Sequence, residues 1–132
     1  MVPVLQESAI SQAVAAAISE ARARATPVGV AVVDLGGHLR AWVLMDGAST
    51  IAFDVVLRKA RTAAFTARPT GAMPAALASE IAAASPIFTN LAGGFPIVQE
   101  GHVVGAIAAG GGPAEDDCAI AQAGLAQFAD AD

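Results

Sequence analysis

Val28-Gly29-Val30-Ala31-Val32-Val33-Asp34-Leu35-Gly36-Gly37-His38 is the stretch that decides the fold. Its first part is apolar at odd and even positions alike, which predicts a strand buried on both faces and central in its sheet. Leu35-Gly36-Gly37 supplies a tight turn in which glycine takes positive φ, and His38 to Met45 returns as the second strand of a hairpin. A second hairpin is predicted from Phe95-Pro96-Ile97-Val98-Gln99 and His102 to Ala109, joined across Glu100-Gly101.

Helical patterns flank the two hairpins. Upstream, Ile10, Val14, Ala17, Ile18 and Ala21 recur at helical spacing within residues 6–24, and Thr26-Pro27 ends that segment. Between the hairpins, a helix over about 50–67 is expected, capped by Ser49 or Thr50 and carrying Asp54 in its first turn. Phe53, Val56, Leu57, Ala60 and Ala64 form its expected buried stripe, and Arg68-Pro69-Thr70-Gly71 breaks it. Pro74 opens an alanine-rich helix to about Ala84, Ser85-Pro86 ends it, and Ile87-Phe88-Thr89 reads as a brief edge strand. Gly110-Gly111-Gly112-Pro113 leads into a last helix over about 114–129, with Glu115, Asp116 and Asp117 on its positive end. The sum is an α/β fold, an antiparallel sheet of four or five strands covered by helices on one or both faces. No repeat, low-complexity tract or linker divides residues 1–132, so a single domain is expected.

The totals exclude several function classes. Hydrophobic residues make up 55% of the chain and charged residues only 14%, which suggests more apolar surface than a monomer exposes and hence a homo-oligomer. A net charge of −5 argues against a nucleic-acid partner. One cysteine, Cys118, forms no internal disulfide, and Glu7 interrupts any signal-like start. No apolar run is long enough to span a bilayer, so no membrane is expected and a cytoplasmic location is the reading.

Lys59 is the one lysine beside six arginines. An ammonium is a compact point charge that a guanidinium does not imitate, which marks Lys59 as a structural ion-pair partner or a site residue. Lys59 and Thr62 are three apart and share a helix face. With the Met45-Asp46-Gly47 turn and the Gly110-Gly111-Gly112 loop they form the strongest candidate site. Lys59 there holds a carboxylate or acts as a base, or else pairs with Asp46 or Asp54 to reinforce the fold. The glycine loop offers backbone N–H groups to an anion, a role weakened by the three acids that follow it. No Walker or Rossmann spacing is present. His38 and His102 each open the second strand of a hairpin and read as solvent-facing, with no cluster suited to zinc. Met45, Met73 and Cys118 are soft atoms that haem iron accepts, although packing explains each of them first, as it does Trp42.

Val-Val-Asp-x-Gly-Gly-x-Leu at 32–39, Met-Asp-Gly-Ala at 45–48 and Lys-Ala-x-Thr-Ala at 59–63 resemble the GlcG/HbpS-like family, also called the haem-degrading domain family. Gly-Gly-x-Pro-Ile at 93–97 and Gly-x-Val-Val-Gly-Ala-Ile at 101–107 extend the resemblance over almost the whole chain. It implies a profilin-like α/β/α layering, a homo-oligomer and a small-molecule ligand, with haem the cofactor it allows. It marks Lys59 and Asp46 as candidate catalytic residues. Met45, Gly47, Thr62, Gly94, Pro96, Gly110 and Gly111 are the corresponding ligand-binding candidates. The chain departs from the pattern at Leu44, where the family usually has arginine, and at Ala109, where it usually has serine. Losing a bidentate carboxylate clamp at Leu44 favours a less acidic ligand unless Arg40, Arg58 or Arg61 compensates. The leading reading is a ligand-binding protein of the haem-binding type with its pocket near a subunit interface. The alternatives are a cofactor-independent isomerase or lyase acting on a small unsaturated acid, and a structural subunit with a vestigial pocket.

Overall fold

In a computed structural model that describes residues 3–128, four strands form an antiparallel sheet in the order β2-β1-β4-β3. The strands are β1 (Gly29–Asp34), β2 (Leu39–Leu44), β3 (Gly94–Gln99) and β4 (His102–Gly110). The helices are α1 (Glu7–Ala23), α2 (Ala52–Thr66), α3 (Ala75–Ala84) and α4 (Ala114–Leu125), followed by a 3-10 turn at Ala126–Phe128. Both hairpins form as expected, and β1 and β4 pair in the middle with Val32 opposite Ile107.

Alternation along the two central strands builds two cores. Val30, Val32, Ile107 and Ala109 face α1 and α4, where Ile10, Ala13, Ala17, Ala21, Ile120 and Ala121 are buried against them. Ala31, Val33, Ala106 and Ala108 face α2 and its buried Ala52, Val56, Ala60, Ala63 and Ala64. The first face is bulky and aliphatic. The second is nearly all alanine, which brings the α2 backbone close to the sheet. Among the described residues, no helix is long and apolar enough to cross a membrane.

Several local expectations need correction. Residues 87–89 form no strand; their backbone is held from α2, where Thr62 Oγ1 donates to the Ile87 carbonyl at 3.3 Å and accepts from Thr89 N–H at 3.0 Å. One hydroxyl thus replaces a strand ladder. The start of α2 uses no hydroxyl cap: Ala52 and Phe53 N–H groups donate to the Ser49 and Thr50 carbonyls. Phe53 leaves the stripe and is exposed, its ring meeting Trp42 edge-on with centroids 5.0 Å apart. Trp42 in turn packs against the α2-side core. The last helix ends earlier than expected, and the expected terminus at residue 129 lies outside the described residues.

Ile107 is fully buried at the centre of the larger core. Ile107→Ala is expected to lower the unfolding free energy by about 2–5 kcal/mol in urea titration. Val98→Ala, on the exposed side of edge strand β3, is expected to change it by no more than about 0.5 kcal/mol.

Candidate functional site

The alanine packing that lets α2 sit low on the sheet also carries Lys59 inward, on the same buried face as Val56, Ala60 and Ala63. Its side chain is 3% exposed. The ammonium donates to Asp117 Oδ2 at 3.2 Å and to the Ala109 carbonyl at 3.0 Å. Asp117 is equally buried, and its Oδ1 accepts the Gly112 N–H at 3.0 Å. Every oxygen of the carboxylate is therefore used, as a buried charge requires.

Two glycines make the space for the ammonium. A Cβ on Gly93 or on Gly110 would lie 3.0 Å from Lys59 Nζ, and Gly93 also has φ +129°. Ala109 N–H donates to the Gly93 carbonyl at 3.0 Å, so the strand ends around the pair are tied to each other as well. Burial pushes the Asp117 carboxyl above its ordinary range, and the Lys59 ammonium and the Gly112 N–H bring it only part of the way back. Burial likewise raises the neighbouring Cys118 thiol. A thiol held in that form is a poor metal ligand.

Lys59 pairs with neither of the carboxylates first expected. Asp54 takes Arg58 at 3.0 Å, and Asp46 is exposed in the turn after β2, lining a separate cavity of about 350 Å3 with Ile18, Arg22, Leu44 and Met45. Gly47 shares that exposed turn at φ +88°. Met45 packs against the larger core. Gly110 leaves room for the Lys59 ammonium, but Gly111 is exposed. The anion that the glycine loop binds is the chain's own Asp117. Gly94 opens β3 and donates its N–H to Thr70 Oγ1 at 2.9 Å, while Pro96 sits in that edge strand opposite Ala106. Thr62 reaches away from Lys59 toward residues 87–89.

Asp117 is one of three acids that open α4, and charge alone does not separate it from Glu115 and Asp116. The signal for it lay in helical periodicity, because Asp117, Ile120, Ala121 and Gly124 form the buried stripe of that helix. Its neighbour Asp116 faces the other way and pairs with Arg24 at 2.8 Å.

A second constellation lies at the β1–β2 hairpin. Asp34 Oδ1 accepts the backbone N–H groups of Gly36 and His38 at 3.0 and 2.9 Å and lies 3.2 Å from His38 Nδ1. Burial would raise the Asp34 carboxyl, but these contacts from His38 and Gly36 outweigh it and hold the group below its ordinary range. A hydrogen on Nδ1 directed at Asp34 leaves Nε2 with its lone pair, the arrangement that orients metal-ligating imidazoles. His38 borders an open cavity of about 380 Å3 whose other walls include Val4, Leu5, Leu35, Val103 and Arg40.

Lys59→Met should leave the Asp117 carboxylate buried without its cation and cost about 3–5 kcal/mol in urea unfolding. Lys59→Met combined with Asp117→Leu should recover most of that loss, since no charge is then stranded. A pH series reads the same pair. The folded Asp117 carboxyl titrates above its unfolded value, so its contribution is full below about pH 4 and is lost as pH rises through the raised folded value. Wild type is therefore expected to lose stability relative to Asp117→Asn as pH increases from about 4 toward neutrality. Parallel curves would show that the carboxyl is not raised.

The sequence matches the family described as "Haem degrading protein HbpS-like" over residues 5–126. Protein GlcG of Escherichia coli K12 is 36% identical over 106 residues, covering 79% of each chain. The crystal structure of a PduOC–heme complex superposes with a TM-score of 0.84 at 25% identity, over 95% of both chains. A double mutant of Streptomyces reticuli HbpS gives 0.82 at 33% identity, over 96% of this chain and 88% of that one. A match along nearly the whole chain, with this four-stranded sheet and its helices, establishes that the chain belongs to the HbpS-like family.

Proposed function

We propose that this chain is a small-ligand-binding protein of the haem-binding type that works in the cytoplasm as a homo-oligomer. The observation that carries the reading is His38, oriented by Asp34 at the edge of a cavity with apolar walls and a guanidinium. These residues fit haem: an imidazole nitrogen for iron, Val4, Leu35 and Val103 for the macrocycle and Arg40 for a carboxylate. Among the other candidates, Met45 is committed to core packing and Cys118 to its thiol form, which supports His38 over both. When bound, haem would supply the redox and ligand chemistry of its iron. The chain's own contribution is to hold the imidazole in one tautomer and to shield one face of the ring.

Self-association has separate support. Phe53 and Phe65 are exposed on α2, the helix that covers the alanine face of the sheet, and Leu91 is exposed in the segment before β3. The haem complex of PduOC supports the ligand class by family likeness. In the alternative reading, a cofactor-free isomerase or lyase, Lys59 moves protons with Asp46 as its partner. The burial of the ammonium between Asp117 and the Ala109 carbonyl favours a structural role for it instead.

Haemin titrated into the purified protein is expected to give a saturable, shifted Soret band. His38→Ala should weaken binding by about tenfold or more, and Asp34→Asn should weaken it as well through loss of the oriented imidazole. Size exclusion should show an assembly larger than one chain. A band that survives unchanged in His38→Ala would remove this residue from the account, and no saturable band in wild type would remove haem.

A further inference from the structure

The end of α2, the start of α3 and the segment from 86 to 91 enclose a cavity of about 280 Å3 on the other side of the molecule's sheet from α1 and α4. That is the space of about nine water molecules, near the lower end for ligand pockets. Phe88, Leu77, Met73 and Pro69 make its walls largely apolar. Among the described residues no acidic side chain lines it, although the chain carries a net charge of −5.

Arg68 borders this cavity and has no hydrogen-bond or ion-pair partner among the described residues. Four other cations are committed, Lys59 to Asp117, Arg24 to Glu20 and Asp116, Arg58 to Asp54 and Arg61 to the Gly37 carbonyl, whereas Arg22 and Arg40 border other cavities. Thr70 and Thr89 also line the cavity. Each hydroxyl accepts a backbone N–H, from Gly94 at 2.9 Å and from Leu91 at 3.2 Å, and keeps its own hydrogen to donate. The wall is held in place before any ligand arrives. Asn90 accepts from Met73 N–H at 3.1 Å and donates to the Met73 carbonyl at 2.9 Å, while Thr62 fixes residues 87 and 89. A prearranged wall avoids the ordering cost of binding.

We propose that this cavity binds a short-chain monocarboxylate. The hydrocarbon lies against Phe88 and Leu77, and the carboxylate meets the Arg68 guanidinium with the threonine hydroxyls as further donors. One uncompensated cation matches a single negative charge, and the volume, near the lower end for ligand pockets, suits a short chain. The inference concerns a site apart from the His38 cavity and does not depend on haem.

The test is a titration of hexanoate followed by amide chemical shifts, with hexanamide as the uncharged control. Hexanoate is expected to saturate and to move Thr62, Thr89 and Asn90, and hexanamide to bind more weakly. Arg68 is exposed, so Arg68→Gln should keep the fold, checked by circular dichroism, and weaken hexanoate by about tenfold or more without affecting hexanamide. Equal binding of hexanoate to Arg68→Gln, shifts confined to other parts of the chain, or no saturable shift would each overturn the proposal. Failure of the haemin titration would leave it standing.

Discussion

One ammonium on α2 and one carboxylate on α4 meet where β4 ends, and the layers of the molecule are keyed to that contact. The helices lie on opposite faces of the sheet, so the pair reaches around its end rather than along one side. Removing two charges from water is expensive, and the cost is met only when their remaining hydrogen-bonding capacity is used. Here the Ala109 carbonyl and the Gly112 N–H complete the set, which fixes the path of the chain between β4 and α4. The same contact explains the choice of cation. Between Gly93 and Gly110 there is space for an ammonium with nothing to spare, and a planar guanidinium is too wide for it.

Features legible in the sequence were those with a local cause. Two-sided apolarity predicted a central β1, the Gly36-Gly37 and Glu100-Gly101 turns predicted both hairpins, and Lys59 stood out as the one lysine among arginines. The partner of Lys59 was less accessible because Asp117 lies 58 positions away and shares its helix turn with two other acids. Its distinction from Asp116 is a matter of helix face, visible only when the stripe through Ile120 and Gly124 is followed back to the first turn. Residues 87–89 have strand-like composition, yet their hydrogen bonds come from the Thr62 side chain, a tertiary event that propensity does not encode. Phe53 was assigned to a buried stripe on hydrophobicity, but alanines fill that face and leave the ring outside.

The two faces of the sheet show how the cavities are positioned. On the α1–α4 side, valine and isoleucine fill the interior, and the His38 cavity opens at the hairpin end. On the α2 side, alanine permits close packing along the middle of the helix, and the 280 Å3 cavity opens where α2 stops at Ala67 in a left-handed conformation. Both cavities thus sit at element ends, where the chain leaves regular structure and loops supply polar groups.

Arginine placement connects these cavities to the departure at Leu44. Of the three arginines able to compensate there, Arg58 is used by Asp54 and Arg61 by the Gly37 carbonyl. Among the described residues, Arg22, Arg40 and Arg68 have no side-chain partner, and each borders a different cavity. Arg22 reaches the cavity beside Leu44 from α1, with Asp46 on the same wall. A cation therefore remains near that strand end, carried by a helix rather than by the strand, and a nearby carboxylate offsets it. The cavities of Arg40 and Arg68 differ from that of Arg22: among the described residues no carboxylate lines the one beside Arg68, and beside Arg40 the Asp34 carboxylate is occupied with His38.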